Sequence, residues 1–369
     1  MPHDPYRALY IHIPFCASRC LYCDFTTEAC PADSAKMDAY VENLCVDIRR
    51  LAKEGELAGL KTIYIGGGTP THLGSARLTQ LLYMLSLSIT LEQIEEFTVE
   101  ANPESLTEAM VKDIWALGVN RLSIGVQSFD DKILTLLDRA HDAAGAETAI
   151  HAARTRFENV SVDLMCGIPG QSDASFEASL RRAIGLGVKH LSVYPLTVEE
   201  GTPLAKAIRR GRFPQIDEDD EARHMELAER VLGEAGFVRY EVANYALPGY
   251  ESRHNSAYWS GVPYLGLGRS AVTMTQNAER RMRKQDGYVT DDLNPKEMLA
   301  EDLMLAMRMS RGVSTTRVAD AERRLPGAQA CFEELCRLGL VRVQDEAFVP
   351  TERGWLCGNE LYGRIFDLA

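Results

Sequence analysis

No apolar run in this chain approaches the roughly 20 residues that a bilayer-spanning helix requires, which excludes a membrane span. Positive charge is in deficit: 40 Lys and Arg stand against 53 Asp and Glu, a formal net charge of −13. Attachment to a nucleic-acid backbone rests on neutralising phosphates with Lys and Arg, so nucleic acid is not expected as a partner. The first residues, Met1-Pro-His-Asp-Pro-Tyr-Arg7, contain neither a basic segment leading into an apolar stretch nor an arginine-rich amphipathic pattern. The chain therefore reads as cytoplasmic and unprocessed. Nine cysteines, an odd number in 369 residues without a secretory leader, argue for reduced thiols over a disulfide framework. Internal repeats and low-complexity tracts are also lacking.

What the sequence does contain is concentrated in Cys16-Ala-Ser-Arg-Cys20-Leu-Tyr-Cys23, a CxxxCxxC loop that follows the apolar run Ala8–Ile13. Three thiolates on one short loop can hold three irons of a [4Fe–4S] cube, because soft sulfur suits such clusters, and the fourth iron is left open to a substrate or cofactor. A structural zinc site is the competing reading. It needs four closed ligands, no second CxxC follows, and the fourth ligand would have to be Cys30, His12 or Asp24.

Strand-like runs at Ala8–Ile13, 61–65, Glu96–Ala101, 121–126, 160–165 and His190–Pro195 alternate with helical patterns, the mark of a parallel α/β sheet. The clearest helix carries Met37, Tyr40, Val41, Leu44, Cys45, Ile48 and Leu51 at steps of three and four, one buried stripe on a charged helix. A further helix over 221–236 and a strand over 237–244 follow. Right-handed crossovers can wrap six such units into a partial (β/α)6 TIM-like barrel, with a doubly wound sheet as the alternative. Polar residues close several strands: Gly66-Gly67-Gly68-Thr69, Glu100 with Asn102, Gln127 and Asp163. Both architectures bind ligands at these carboxyl ends.

The segment 209–220 reads as a polar connector between elements. A boundary falls at 276–294, where Arg280-Arg-Met-Arg-Lys284 reads as a solvated linker face. Beyond it, helices over 296–309, 315–325 and 328–338, a small hairpin and a closing helix resemble a winged-helix arrangement. From Lys296 to Ala369, ten Lys and Arg face twelve Asp and Glu. That balance is a poor phosphate-binding surface, and the region reads as a lid or partner-contact module.

The residues Tyr10-Ile-His-Ile-Pro-Phe-Cys16, the cysteine loop, Gly-Gly-Gly-Thr-Pro70, Arg121–Phe129, Val162–Gly170 and His254-Asn-Ser-Ala-Tyr-Trp259 together resemble the radical S-adenosylmethionine proteins of the oxygen-independent coproporphyrinogen III oxidase-like group. The resemblance covers nearly the whole chain. It implies a radical domain over 1–275, a linker over 276–294 and a small carboxyl-terminal domain over 295–369. It also implies a [4Fe–4S] cluster on Cys16, Cys20 and Cys23, with Tyr22 beside it. Gly67, Gly68 and Thr69 would receive the methionine part of S-adenosylmethionine, and Tyr10, Glu100, Gln127, Arg139 and Asp163 would surround the cofactor. A reducing electron donor would feed the cluster, whose electron cleaves the sulfonium to a 5′-deoxyadenosyl radical.

Two departures refine the resemblance. The oxidase pattern CxxxCxxCxC has a further cysteine where this chain has Phe25, and Cys23-Asp24-Phe25 is similar to the HemW-type haem chaperones, which carry haem to acceptor proteins. The alternative within the group is an enzyme acting on a porphyrin. His254, with Asn255 and Trp259, matches an HNxxxW motif proposed for haem binding, which makes His254 the candidate axial ligand. In the run Tyr264–Thr273, Val272 stands where relatives have a histidine.

Overall fold

The computed structural model describes residues 3–215 and 217–369. Met1 and Pro2 of the amino terminus and Ile216 of the expected connector lie outside the described residues. Six strands, β1 (Ala8–Ile13), β2 (Thr62–Gly67), β3 (Glu96–Ala101), β4 (Arg121–Gln127), β5 (Asn159–Cys166) and β6 (His190–Pro195), pair in parallel, each with the next. Their order across the sheet is their order in the chain. A doubly wound sheet would reverse direction at a switch point; this one does not, and it is a partial barrel with a single mouth.

Each strand alternates. On one face Leu9, Ile11, Ile63, Ile65, Phe97, Val99, Leu122, Ile124, Val160, Val162, Leu191 and Val193 are buried in the main core. The opposite face carries Thr62, Glu96, Thr98, Arg121, Ser123, Ser161, His190 and Ser192, all buried and polar. Successive side chains of a strand point to opposite faces, so the apolar set meets the crossover helices and the polar set fills the barrel. The longer helices among them are α1 (Ala35–Glu54), α2 (Gly74–Ser88), α3 (Glu108–Ala116), α4 (Ala143–Arg154), α5 (Asp173–Gly185) and α6 (Glu218–Glu234). Helix α1 begins at Ser34, whose hydroxyl accepts the Lys36 N–H, and buries Met37, Val41, Leu44, Cys45, Ile48 and Leu51. Each fully buried side chain of this size contributes about 1.5–3 kcal/mol.

Two expectations are corrected at the sheet edges. The strand expected over 237–244 is a tight hairpin of β7 (Val238–Arg239) and β8 (Asn244–Ala246). The Glu241 carboxylate accepts the Ala243 N–H at 3.2 Å and turns the chain back. The expected linker, 276–294, is not a linker. After helix α7 (Arg253–Trp259) and strand β9 (Tyr264–Leu267), which pairs parallel to β1, the strands β10 (Val272–Gln276), β11 (Arg281–Gln285) and β12 (Tyr288–Leu293) continue the sheet antiparallel. Its basic cluster alternates as a strand: Arg280 is exposed, whereas Arg281 is buried and pairs with Glu301 and with Asp302 at 2.7 Å.

The carboxyl-terminal region has its own core around Leu303, Met307, Val318, Leu325, Phe332, Leu335, Leu361 and Ile365. Helix α8 (Pro295–Ala306), strand β13 (Val313–Ser314), helices α9 (Thr315–Ala321) and α10 (Ala328–Arg337), and the hairpin β14 (Val341–Gln344) and β15 (Ala347–Pro350) follow in turn. The strands order β13-β15-β14, the element sequence of a winged helix. The closing helix expected to Phe366 is broken at Cys357 into two pieces.

Candidate functional site

The cysteine loop leaves the carboxyl end of β1 and is pinned at both ends. Phe15 and Cys16 pair with Glu28 and Ala29, and the Cys30 N–H donates to the Cys16 carbonyl at 3.0 Å. Cys16, Cys20 and Cys23 are unpaired, half-buried thiols on the wall of a cavity of about 470 Å³ at the barrel mouth. Among the described residues no three His, Cys, Asp or Glu side chains converge on a point that one metal ion could occupy. Of the candidate fourth ligands for zinc, Cys30 is buried, both nitrogens of His12 are within 3.0 Å of Tyr10 and of the Thr26 carbonyl, and Asp24 lies exposed on the wall of the same cavity. Thiols spread around a cavity suit a cluster in which each holds a different iron.

The glycine loop packs against this wall. The Gly68 N–H donates to the Ile13 carbonyl at 2.7 Å and the Thr69 N–H to the Phe15 carbonyl at 2.8 Å. A Cβ on Gly68 would lie 2.8 Å from the Phe15 oxygen and 3.0 Å from the Cys16 sulfur, and Gly67 has φ 114° with the His12 ring 2.5 Å from where its Cβ would stand. Only glycine allows this approach, which leaves a bare backbone cradle beside the thiols.

The residues expected around the cofactor converge on the same cavity: Gly67, Gly68, Thr69, Glu100, Gln127, Arg139 and Asp163 line it together with Tyr22 and the three cysteines. Gln127 sits at a β-bulge and holds φ 65°. A non-glycine residue there is strained by about 1–3 kcal/mol, a cost found where a side chain must be aimed. Arg139 donates to the Cys20 sulfur at 3.3 Å, the Asn102 Oδ1 at 3.0 Å and the Gly125 carbonyl at 2.7 Å. Its Nε is buried without a partner, so the guanidinium retains a donor.

Burial pushes the Glu100 carboxyl up to about 7, against hydrogen bonds from the Tyr64 hydroxyl at 2.7 Å and the Gly67 N–H at 3.0 Å. Burial likewise raises Asp163, which accepts from Ser123 at 3.1 Å. Burial also raises the Cys16 thiol to about 11, opposed by the Thr69 hydroxyl, so iron binding must displace a proton there. Burial raises Tyr22, with Arg139 opposing.

Two sequence-assigned residues lie elsewhere. Tyr10 and His254 line a second cavity of about 490 Å³, walled by His12, Tyr64, Tyr258, Tyr264 and Val272. The two cavities share Phe25, Tyr64, Glu100, Tyr194 and Asn255, and so meet. His254 is only 1% exposed. Its Nδ1 is 2.9 Å from the Thr62 hydroxyl and its Nε2 3.0 Å from the Tyr258 hydroxyl, and burial lowers its pKa to about 3. Both nitrogens are thus engaged by hydroxyls within the fold in this arrangement.

Helix α7 itself is held from β3: Glu96 accepts from Ser252 Oγ at 3.1 Å, the Arg253 N–H at 2.7 Å and the His254 N–H at 3.1 Å. Sequence reasoning did not single out Tyr64, Tyr194 or Ser123 as site residues. Their only signal is the polar or aromatic step in each strand's alternation.

A polar half barrel whose mouth combines three loop thiols with a glycine cradle is of the radical S-adenosylmethionine class. A family model described as the Radical SAM superfamily matches residues 10–183. The chain is 36% identical to the haem chaperone HemW of Bacillus subtilis over 97% of this chain and 98% of that one. It is 35% identical to HemW of Mycobacterium tuberculosis over 97% and 94% of the two chains. It is 32% identical to a mitochondrial radical S-adenosyl methionine domain-containing protein 1 of Danio rerio over 85% and 75%. In fold it superposes on coproporphyrinogen III oxidase HemN of Escherichia coli with a TM-score of 0.78 at 22% identity, over 100% of this chain and 90% of that one. The chain belongs to the HemW family of radical S-adenosylmethionine proteins. Membership implies a [4Fe–4S] cluster and S-adenosylmethionine, and the thiols, the cradle and the free Arg139 donor fit both. No helix among the described residues is long and apolar enough to cross a membrane.

Proposed function

We propose that this chain is a haem chaperone that binds haem at the mouth of the barrel and delivers it to acceptor proteins in the cytoplasm. The observation that carries this reading is the meeting of the cysteine cavity with the aromatic second cavity at Phe25, a side chain 69% exposed, and Tyr194, 41% exposed. Exposed rings at a cavity junction are unfavourable in water and suit a flat apolar ligand, on which each stacks for about 0.5–1.5 kcal/mol beyond the area buried. The names of the Bacillus subtilis and Mycobacterium tuberculosis relatives support the same cargo.

On this reading Cys16, Cys20 and Cys23 hold the cluster. Gly67, Gly68 and Thr69 cradle the methionine part of S-adenosylmethionine, Arg139 pairs with its carboxylate, and Glu100, Gln127 and Asp163 bind its remaining polar groups. Bound there, the cluster supplies one-electron reduction of S-adenosylmethionine, drawn from an external electron donor. His254 holds α7 beneath the second cavity instead of ligating iron.

Anaerobic reconstitution followed by haem titration and a 5′-deoxyadenosine assay tests the proposal. Stoichiometric haem binding is expected, weakened about tenfold in Phe25→Ala, since 1.4 kcal/mol is a factor of ten. His254→Ala should leave the axial-ligand signature of the haem spectrum unchanged. Rapid turnover of coproporphyrinogen would overturn the chaperone reading, and loss of that signature would restore His254 as the ligand.

A further inference from the structure

Asn102 follows β3 and joins two of the three thiols through a continuous hydrogen-bond path. Its Oδ1 accepts from Arg139 Nη2 at 3.0 Å, and its Nδ2 donates to Thr69 Oγ1 at 3.0 Å. Thr69 Oγ1 lies 3.4 Å from the Cys16 sulfur, and Arg139 Nη1 lies 3.3 Å from the Cys20 sulfur. The direction of the path is forced. A guanidinium only donates, and an amide both accepts and donates, so the Thr69 oxygen receives the Asn102 N–H and its own hydrogen points to Cys16. One buried cation therefore donates to Cys20 directly and polarises the hydroxyl facing Cys16 through two steps. Cys23 has a hydroxyl of its own, Thr27 Oγ1, at the longer distance of 3.8 Å.

The path is built into the fold. A Cβ on Gly125 would fall 3.0 Å from Asn102 Oδ1 and 3.0 Å from Gln127 Nε2, so that glycine keeps open the point where these side chains meet. The Asn102 N–H is 3.4 Å from Thr71 Oγ1, and Thr69 is 2% exposed.

We propose that Asn102 is a positioning residue that couples Arg139 and Thr69 into one hydrogen-bond relay onto the Cys16 and Cys20 sulfurs, thereby setting the reduction potential of the cluster. The inference rests on the reading that these cysteines hold the cluster. Hydrogen bonds to cluster sulfur stabilise the more negative reduced state and raise the potential, and partners beyond the ligand tune it in the same way.

Redox titration of the reconstituted full chain without S-adenosylmethionine, with iron and sulfide content measured alongside, tests this. Asn102→Ala and Thr69→Val should each shift the midpoint to lower potential at unchanged iron content. Thr69→Ser, which keeps the hydroxyl, should titrate like the wild type. Because the two act as one path, the double variant should shift no further than the larger single shift, as members of a coupled unit do. Additive shifts, or unchanged midpoints with an intact cluster, would overturn the relay alone. A wild type that incorporates no cluster would instead overturn the underlying reading.

Discussion

Glu100 carries the sharpest conflict at the scale of single residues, because the barrel buries a carboxylate and then gives it two donors. With its pKa near 7 in the fold and near 4.5 in the unfolded chain, the native state holds the proton over the interval between these values. Stability from this group is therefore complete below about pH 4.5, falls as pH rises toward 7, and is flat above. The span corresponds to about 3 kcal/mol at 1.36 kcal/mol per unit. Glu100→Gln cannot ionise, so its urea midpoint should gain on the wild type between pH 5 and pH 8, and parallel pH profiles would refute the assignment. The thiols and the glycine cradle were legible in the sequence because each lies within one short motif. Asn102 was legible only as a polar strand end, because its partners Thr69 and Arg139 stand 33 and 37 residues away.

At the scale of elements, strands with strong alternation were read nearly to the residue, β1, β3 and β6 among them. The reading failed where charge stood for solvent. Arg281 looks exposed in a basic run, yet a strand turns every second residue inward, and Glu301 and Asp302 wait there from α8. Helix α7 shows the same limit, since its motif says nothing of Glu96, whose carboxylate lies 158 residues before the His254 N–H it accepts. Removing that carboxylate leaves buried donors unpaired at 1–3 kcal/mol each. Glu96→Ala should cost about 3 kcal/mol or more in urea unfolding and speed amide exchange across 253–259 while iron content holds. Unaltered exchange in α7 would show that the helix is secured by something else.

On the scale of the molecule, the barrel core and the carboxyl-terminal core are separate clusters, joined by a third small one of Tyr240, Ala246 and Met309 with Tyr250 and Trp259 packed on it. That joint is the far end of α7. The Trp259 indole donates to Glu241 at 2.8 Å, Glu241 bridges to Met309, and the Ser310 N–H donates to the Tyr240 carbonyl at 3.0 Å. The Arg308 guanidinium lies 4.9 Å from the Trp259 ring centroid and 4.4 Å from that of Tyr362, with Nε buried and unpartnered. A cation between two half-desolvated rings contributes about 1–2 kcal/mol per face, and Arg308 touches both the motif helix and the closing helix. The same α7 that lines both cavities through Asn255 thus ends, at Trp259, against Met309 and Arg308 beside the carboxyl-terminal core. Arg308→Ala should lower stability by about 2–3 kcal/mol and, by weakening the joint more than either core, split the calorimetric transition so that the small domain melts first. A single transition shifted as a whole would mean that the two cores remain coupled through the Glu241–Met309 backbone bridge, leaving Arg308 a local contact only.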